Sequence, residues 1–204
     1  MIMLLSLPVA LSTAQNPWDA WDVDVLRKLN TASEVNYLND KEKKVILVMN
    51  MARHDGPLFV RTLLANYVDE KQVENSSSLK SLRKDLNNAG GLLPLQPERD
   101  LTAAAQGHAN KSGETGRVGH QDFNKRFDPL MGNPYTHVGE NCSYGYETAM
   151  DIVISLLIDE GVKDQGHRKN ILSVDFNSVG VAIRPHKTYR INCVMDFGHR
   201  KRSN

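Results

Sequence analysis

Residues 178–184 and 189–197 alternate apolar and polar side chains, with Pro185-His186-Lys187-Thr188 between them. Period-two alternation marks a strand with one buried face, and two such runs across a short turn pair as a β-hairpin. The end of the chain is thereby committed to antiparallel sheet, with a further short strand expected over 138–144. The preceding segments read as helices. Asp40 is expected to cap a helix whose apolar side holds Val45, Leu47, Val48, Met49, Met51 and Ala52, broken by Gly56-Pro57. Shorter helices are expected over 58–67 and 79–86, the second stopped by Asn87, Asn88, Gly90 and Gly91. Asp100 is expected to cap a helix over 101–111, with Leu101, Ala104, Ala105 and His108 on one side. Residues 113–137, rich in Gly, Asn and Pro, read as loop. The clearest helix is 148–160, ended by Gly161. Residues 15–39 read as an arm that packs Trp18 and Trp21 on the domain.

Composition excludes several classes. Lys plus Arg number 25 and Asp plus Glu 24, a net charge of +1, so the basic excess of a nucleic-acid binder is missing. No run approaches the roughly 20 apolar residues of a membrane-spanning helix. Two cysteines exclude a disulfide-dense mini-protein and a four-cysteine zinc site. There is no G-x-S-x-G, H-E-x-x-H, G-x-x-x-x-G-K or G-x-G-x-x-G. Residues 1–11 are largely apolar and Ser12-Thr13-Ala14 follows, which predicts a signal peptide over 1–14 and a secreted or envelope location. Export makes Cys142 and Cys193 candidates for a disulfide, on strands expected to be neighbours.

The 148–160 helix carries a chemical clue. At 100° per residue, Thr148, Asp151, Ser155 and Asp159 gather on one polar side. Glu160 falls nearly opposite, among the directions of Ala149, Val153 and Leu156, where a carboxylate needs a partner. His120, Glu140 and His167, each preceded by glycine, are candidate partners. Two His and two Glu can bind a divalent metal such as zinc, with imidazole nitrogens as ligands and carboxylates as ligands or proton acceptors.

Ala104, His108, His120, Gly139-Glu140-Asn141, Gly166-His167-Arg168-Lys169-Asn170-Ile171-Leu172 and Val179-Gly180-Val181 occur in an order that resembles the CAP superfamily, which comprises cysteine-rich secretory proteins, antigen 5 and pathogenesis-related 1 proteins. Asn50 and Arg53 resemble the N-x-x-R of its first helix, and 92–95 its approach to the second. The H-R-K-N-I-L ending is similar to the bacterial, SCP-like branch. The resemblance covers roughly 43–198. It implies an α+β fold, a three-layer α-β-α sandwich with a central, mainly antiparallel sheet. It also implies a cleft lined by His120, Glu140, Glu160 and His167, where relatives hold divalent metals. Leu157 stands where the family's W-x-x-E segment has Trp. His108 matches a common family position, but its Leu/Ala side points to packing and not ligation. The domain is expected over 40–198, with an insertion near 55–88 and a basic tail at 199–204.

Three functions are compatible with this reading. The first is a secreted binding module for a metal, a small ligand, a lipid or an extracellular protein. The second is a metal-dependent, peptidase-like hydrolase with Glu140 or Glu160 as general base. The third is a structural envelope protein with a vestigial cleft.

Overall fold

Capping sets the start of the first long helix. In the computed structural model, which describes residues 16–201, Asn39 accepts a hydrogen bond from the Glu42 N–H while the Glu42 carboxylate accepts one from the Asn39 N–H. This reciprocal box places Asp40 inside the helix and not at its cap. The predicted signal peptide 1–14 lies outside the described residues, as do 202–204.

The arm contains helix α1 (Val23–Leu29) and buries Trp21, whose indole N–H donates to Thr62 Oγ1; Lys44 sits 5.0 Å over the Trp18 ring. Helix α2 (Asp40–His54) ends at Asp55, which caps α3 (Gly56–Phe59). A π-helical stretch, Val60–Leu64, carries the chain into α4 (Ala65–Glu70), and α5 (Ser77–Asn87) completes the segment 55–88. Phe59, Leu63, Leu64, Leu79, Leu82 and Leu86 are buried in the main core, so this segment is built into the fold and not hung from its surface. A short β1 (Gln96–Pro97), then α6 (Arg99–Thr115) and α7 (Phe123–Phe127), lead to β2 (Tyr135–Tyr144). Helices α8 (Ala149–Ile158) and α9 (Gly166–Ile171) precede the hairpin β3 (Ser178–His186) and β4 (Arg190–Arg200).

The sheet order is β1-β3-β4-β2. Both long pairings are antiparallel and the two-residue β1 joins β3 in parallel, so the sheet is mixed with an antiparallel body. Helix α6 covers one face; α2, α8 and α9 cover the other, with the segment 55–88 packed on those helices. The expected three-layer α-β-α sandwich is what the chain forms. Several boundaries differ. Helix α6 runs four residues past 111, α7 occupies part of the expected 113–137 loop, and β4 takes up His199 and Arg200 of the expected tail.

A buried arginine and a buried glutamate tie α2 to its surroundings. Arg53 donates to the carbonyls of Leu93, Ile171, Ser173 and Phe176, with burial lowering its pKa to about 10. At the other end of the helix, the Glu42 carboxylate accepts from the Ile183 N–H at 2.9 Å and from Arg184 at 2.8 Å.

The sheet corrects one expectation. Cys142 lies opposite Val194, and Cys193 opposite Ser143. This one-residue offset turns the two side chains to opposite faces of the sheet. Cys142 packs with Ala105, Ala109, Ala182 and Val194 beneath α6, whereas Cys193 belongs to the core on the other side. Both are free, buried thiols, and Cys142–Cys193 is no disulfide. Burial pushes both thiols up. Alkylation without reductant should therefore label neither in the native state and both after denaturation, read by mass spectrometry.

Packing of α6 on β3 depends on Gly180. A Cβ there would lie 2.1 Å from the backbone C of Leu101 and the N of Thr102. Neither is a flexible side-chain end, so the helix must move. Gly180→Ala should destabilise by at least about 2–3 kcal/mol, seen as a lower urea midpoint.

Candidate binding cleft

The outer edge of β2 forms the floor of a cleft of about 830 Å³. Its walls are the turn at 118–120, the end of α8, the start of α9, and Tyr67, Val73, Glu74 and Ser76. His120 and His167 both line it, from opposite layers.

The two imidazoles are held in the same way. His120 Nδ1 is 2.8 Å from Glu140 Oε1, and His167 Nδ1 is 2.7 Å from Asp159 Oδ1. A carboxylate oxygen accepts, so each Nδ1 is the donor, and in the neutral ring Nε2 is the nitrogen left free to ligate. The His120 side chain is 47% exposed and that of His167 23%, whereas the Glu140 and Asp159 side chains are at 0% and 2%. The turn bearing His120 is pinned from below. The Gly119 carbonyl is 2.9 Å from His108 Nε2, and the Gly119 N–H donates to Tyr144 Oη at 2.8 Å. His108 is thus buried as expected, with a positioning contact at its tip.

Glu140 lies beneath His120, its side chain fully buried. Arg126 clasps it with two hydrogen bonds of 2.6 and 2.9 Å. Burial alone would raise its pKa; the bonds from His120 and Arg126 outweigh this and hold it down to about 2.

Glu160 is placed differently from its sequence reading. Helix α8 stops at Ile158 because Asp159 takes a left-handed conformation, φ +55°. The helical projection that put Glu160 along the apolar stripe ends two residues too early. Glu160 is exposed at the cleft rim and accepts a hydrogen bond from Ser76 Oγ. Asp159, read from sequence as outward, is the buried carboxylate, and its Oδ2 also accepts the N–H of His167 at 3.0 Å. Two imidazole–carboxylate pairs therefore face each other across one cleft, with Asp159 in the place expected of Glu160. A polar residue next to the expected one was the only signal for it. Arg126 and the tyrosines that line the cleft (Tyr67, Tyr144, Tyr146 and Tyr189) carried none.

A second carboxylate sits beside Glu140. Asp196 lies opposite it on β4, is 0% exposed, and has no hydrogen-bond donor for either oxygen among the described residues. Burial, then the negative charge of Glu140, push its carboxyl far up, which favours the protonated form. The group His108, Glu140 and Cys142 also brings ligand atoms within 4.8 Å of one another. It is a poor metal site. His108 Nε2 is engaged with Gly119, Glu140 is neutralised by Arg126, and burial keeps Cys142 a thiol.

Asp196 gives a pH signature. Unfolded, it titrates near about 3.9; folded, well above that. Its favourable contribution is complete below the unfolded value and is lost as pH rises toward the folded one. Asn carries no such proton. Asp196→Asn should match the parent near pH 4 and exceed it at pH 7, measured as urea midpoints at both.

The family model described as "CAP: Cysteine-rich secretory protein family" matches residues 48–197. The chain belongs to this family. The uncharacterized protein YkwD of Bacillus subtilis (strain 168) is 32% identical over 95 residues, 45% of this chain and 35% of that protein, so the chain spans about a third of its curated relative's length. Venom allergen-like protein 4 of Schistosoma mansoni shares the fold at 12% identity, with a TM-score of 0.50 over 81% of this chain and 92% of that one. An outer surface protein of Borrelia burgdorferi is 21% identical, with a TM-score of 0.46 over 63% of this chain and 97% of that one.

Proposed function

We propose that this CAP domain is an extracytoplasmic binding module whose cleft takes a divalent metal on His120 and His167. The observation that carries this reading is the pair of imidazoles, each with Nδ1–H on a buried carboxylate and Nε2 left to the cleft. Metal-ligating histidines are held in this way, because the carboxylate fixes the tautomer and raises ligand basicity. Zinc suits imidazole donors. When bound, the metal would supply a positive charge in the cleft for an anionic or carbonyl ligand group. The chain's own residues orient the rings: Glu140, Arg126 and the His108-supported turn on one side, Asp159 and the α9 backbone on the other.

The same geometry disfavours a hydrolase with Glu140 as general base. Its oxygens are engaged by Arg126 and His120, and it does not line the cleft. The signal-like N-terminal sequence and a family described as secretory support a location outside the cytoplasm.

Calorimetric titration of the chelator-treated protein with Zn²⁺ tests the reading. His120→Ala and His167→Ala should each weaken binding at least about tenfold, and Asp159→Asn by about 10–100-fold. Equal affinity in both alanine variants overturns it.

A further inference from the structure

The cleft is lined by Cys142, Ser143 and Tyr144, three consecutive residues of one strand. Consecutive side chains of a strand point to opposite faces, so a surface that meets all three meets the strand's edge, and with it the backbone.

The hydrogen-bond phase of that edge follows from the rest of the sheet. The Ile183 N–H donates to Glu42 and the Val179 carbonyl accepts from the Glu98 N–H, so these β3 residues turn away from β4. Their partners on β4, Cys193 and Phe197, then turn toward β2, where they meet Ser143 and Gly139. In an antiparallel ladder the intervening residues point the other way. The N–H and C=O groups of Glu140, Cys142 and Tyr144 therefore face outward. The Glu140 carbonyl accepts from Asn170 Nδ2 at 3.3 Å, which agrees with this phase and closes that end of the edge. The outward groups of Cys142 and Tyr144 have no protein partner among the described residues. They recur every second residue, about 6.8 Å apart, which is the repeat of a strand.

Exposed edges are ordinarily blunted with Lys, Pro, bulges or a covering segment. Here 141–144 reads Asn-Cys-Ser-Tyr, and a cleft lies where a cover would be. Apolar surface flanks the edge: Val118, Tyr146 and Tyr189 are 47%, 43% and 46% exposed. The lining contains no Lys or Arg, while the carboxylates of Glu74 and Glu160 are exposed in it.

We propose that the cleft receives an extended peptide segment of another protein as an added strand on β2, paired at Cys142 and Tyr144, with a Lys or Arg of that segment against Glu74 and Glu160. Alternate side chains of the segment enter the tyrosine-lined surface, the usual division between backbone affinity and side-chain selectivity in strand addition. Opposite charge across the rim sets register. The inference rests on the cleft being a binding site, and it requires no metal.

The test is selection from a displayed library of random nonapeptides against the full chain in EDTA. Enriched peptides should alternate apolar residues and carry Lys or Arg. In a synthetic copy, N-methylation at every second residue should weaken binding at least about tenfold, the loss of roughly one hydrogen bond, while the intervening positions tolerate it. Glu74→Lys, an exposed change, should weaken the same peptide at least about threefold without altering the fold. Amide exchange in the free protein should be faster at Cys142 and Tyr144 than at Asn141 and Ser143, and should slow at the first pair when peptide binds. No enrichment, a flat N-methyl scan, or slow exchange at Cys142 and Tyr144 in the free protein overturns the proposal. So does a peptide-negative result with glycan-array binding, which assigns the tyrosines to sugar stacking. Because selection runs without metal, its failure leaves the imidazole reading to its own titration.

Discussion

Arg168 brings a guanidinium into the interior at 2% exposure and commits it to six hydrogen bonds. Two go to the carbonyls of Leu157 and Ile158 at the end of α8. Three reach α5 through the Ser78 carbonyl, Ser81 and Asp85, and one holds Gln165 at the head of α9. The planar fork of arginine can meet so many acceptors at once; lysine could not. The left-handed turn at Asp159 directly follows two of these anchors, and that turn delivers the carboxylate to His167. The position of His167, the end of α8 and the attachment of α5 thus share one side chain.

The other imidazole depends on electrostatics beneath the sheet. Glu140 holds its charge in the interior because Arg126 and His120 reach it, and that charge, with burial, favours the protonated form of Asp196 beside it. Moving the proton to Glu140 would strip Arg126 of its counterion and leave His120 a neutral, weaker acceptor. The cluster is therefore a polar network in which each member sets the state of the next.

The two most specific motifs were legible in sequence because they are halves of one joint. Asn141 donates to the His167 carbonyl, and Asn170 donates to Asn141 Oδ1 and the Glu140 carbonyl. Gly139 is glycine because a Cβ would lie 2.8 Å from the Phe176 ring. The hairpin, the core helices and the arm's tryptophans were legible from periodicity and capping. What was not legible depended on a single backbone angle or on register. Periodicity places Glu160 only while the helix continues, and nothing local announces a left-handed Asp159. Two cysteines on neighbouring strands look bridgeable until the pairing phase is known, and phase is a property of the whole sheet. Arg126 and Asp196 had no motif; their importance arises only where strands and turn meet.

Ser76 has two duties at once. Its hydroxyl oxygen caps α5 by accepting the Leu79 N–H, and its proton goes to Glu160 on the far rim. Winding the first turn of a helix and drawing two walls together are thus one event here. Fraying that turn would free Ser76 from both bonds at once, so the cap of the helix and the link across the rim are lost or kept together.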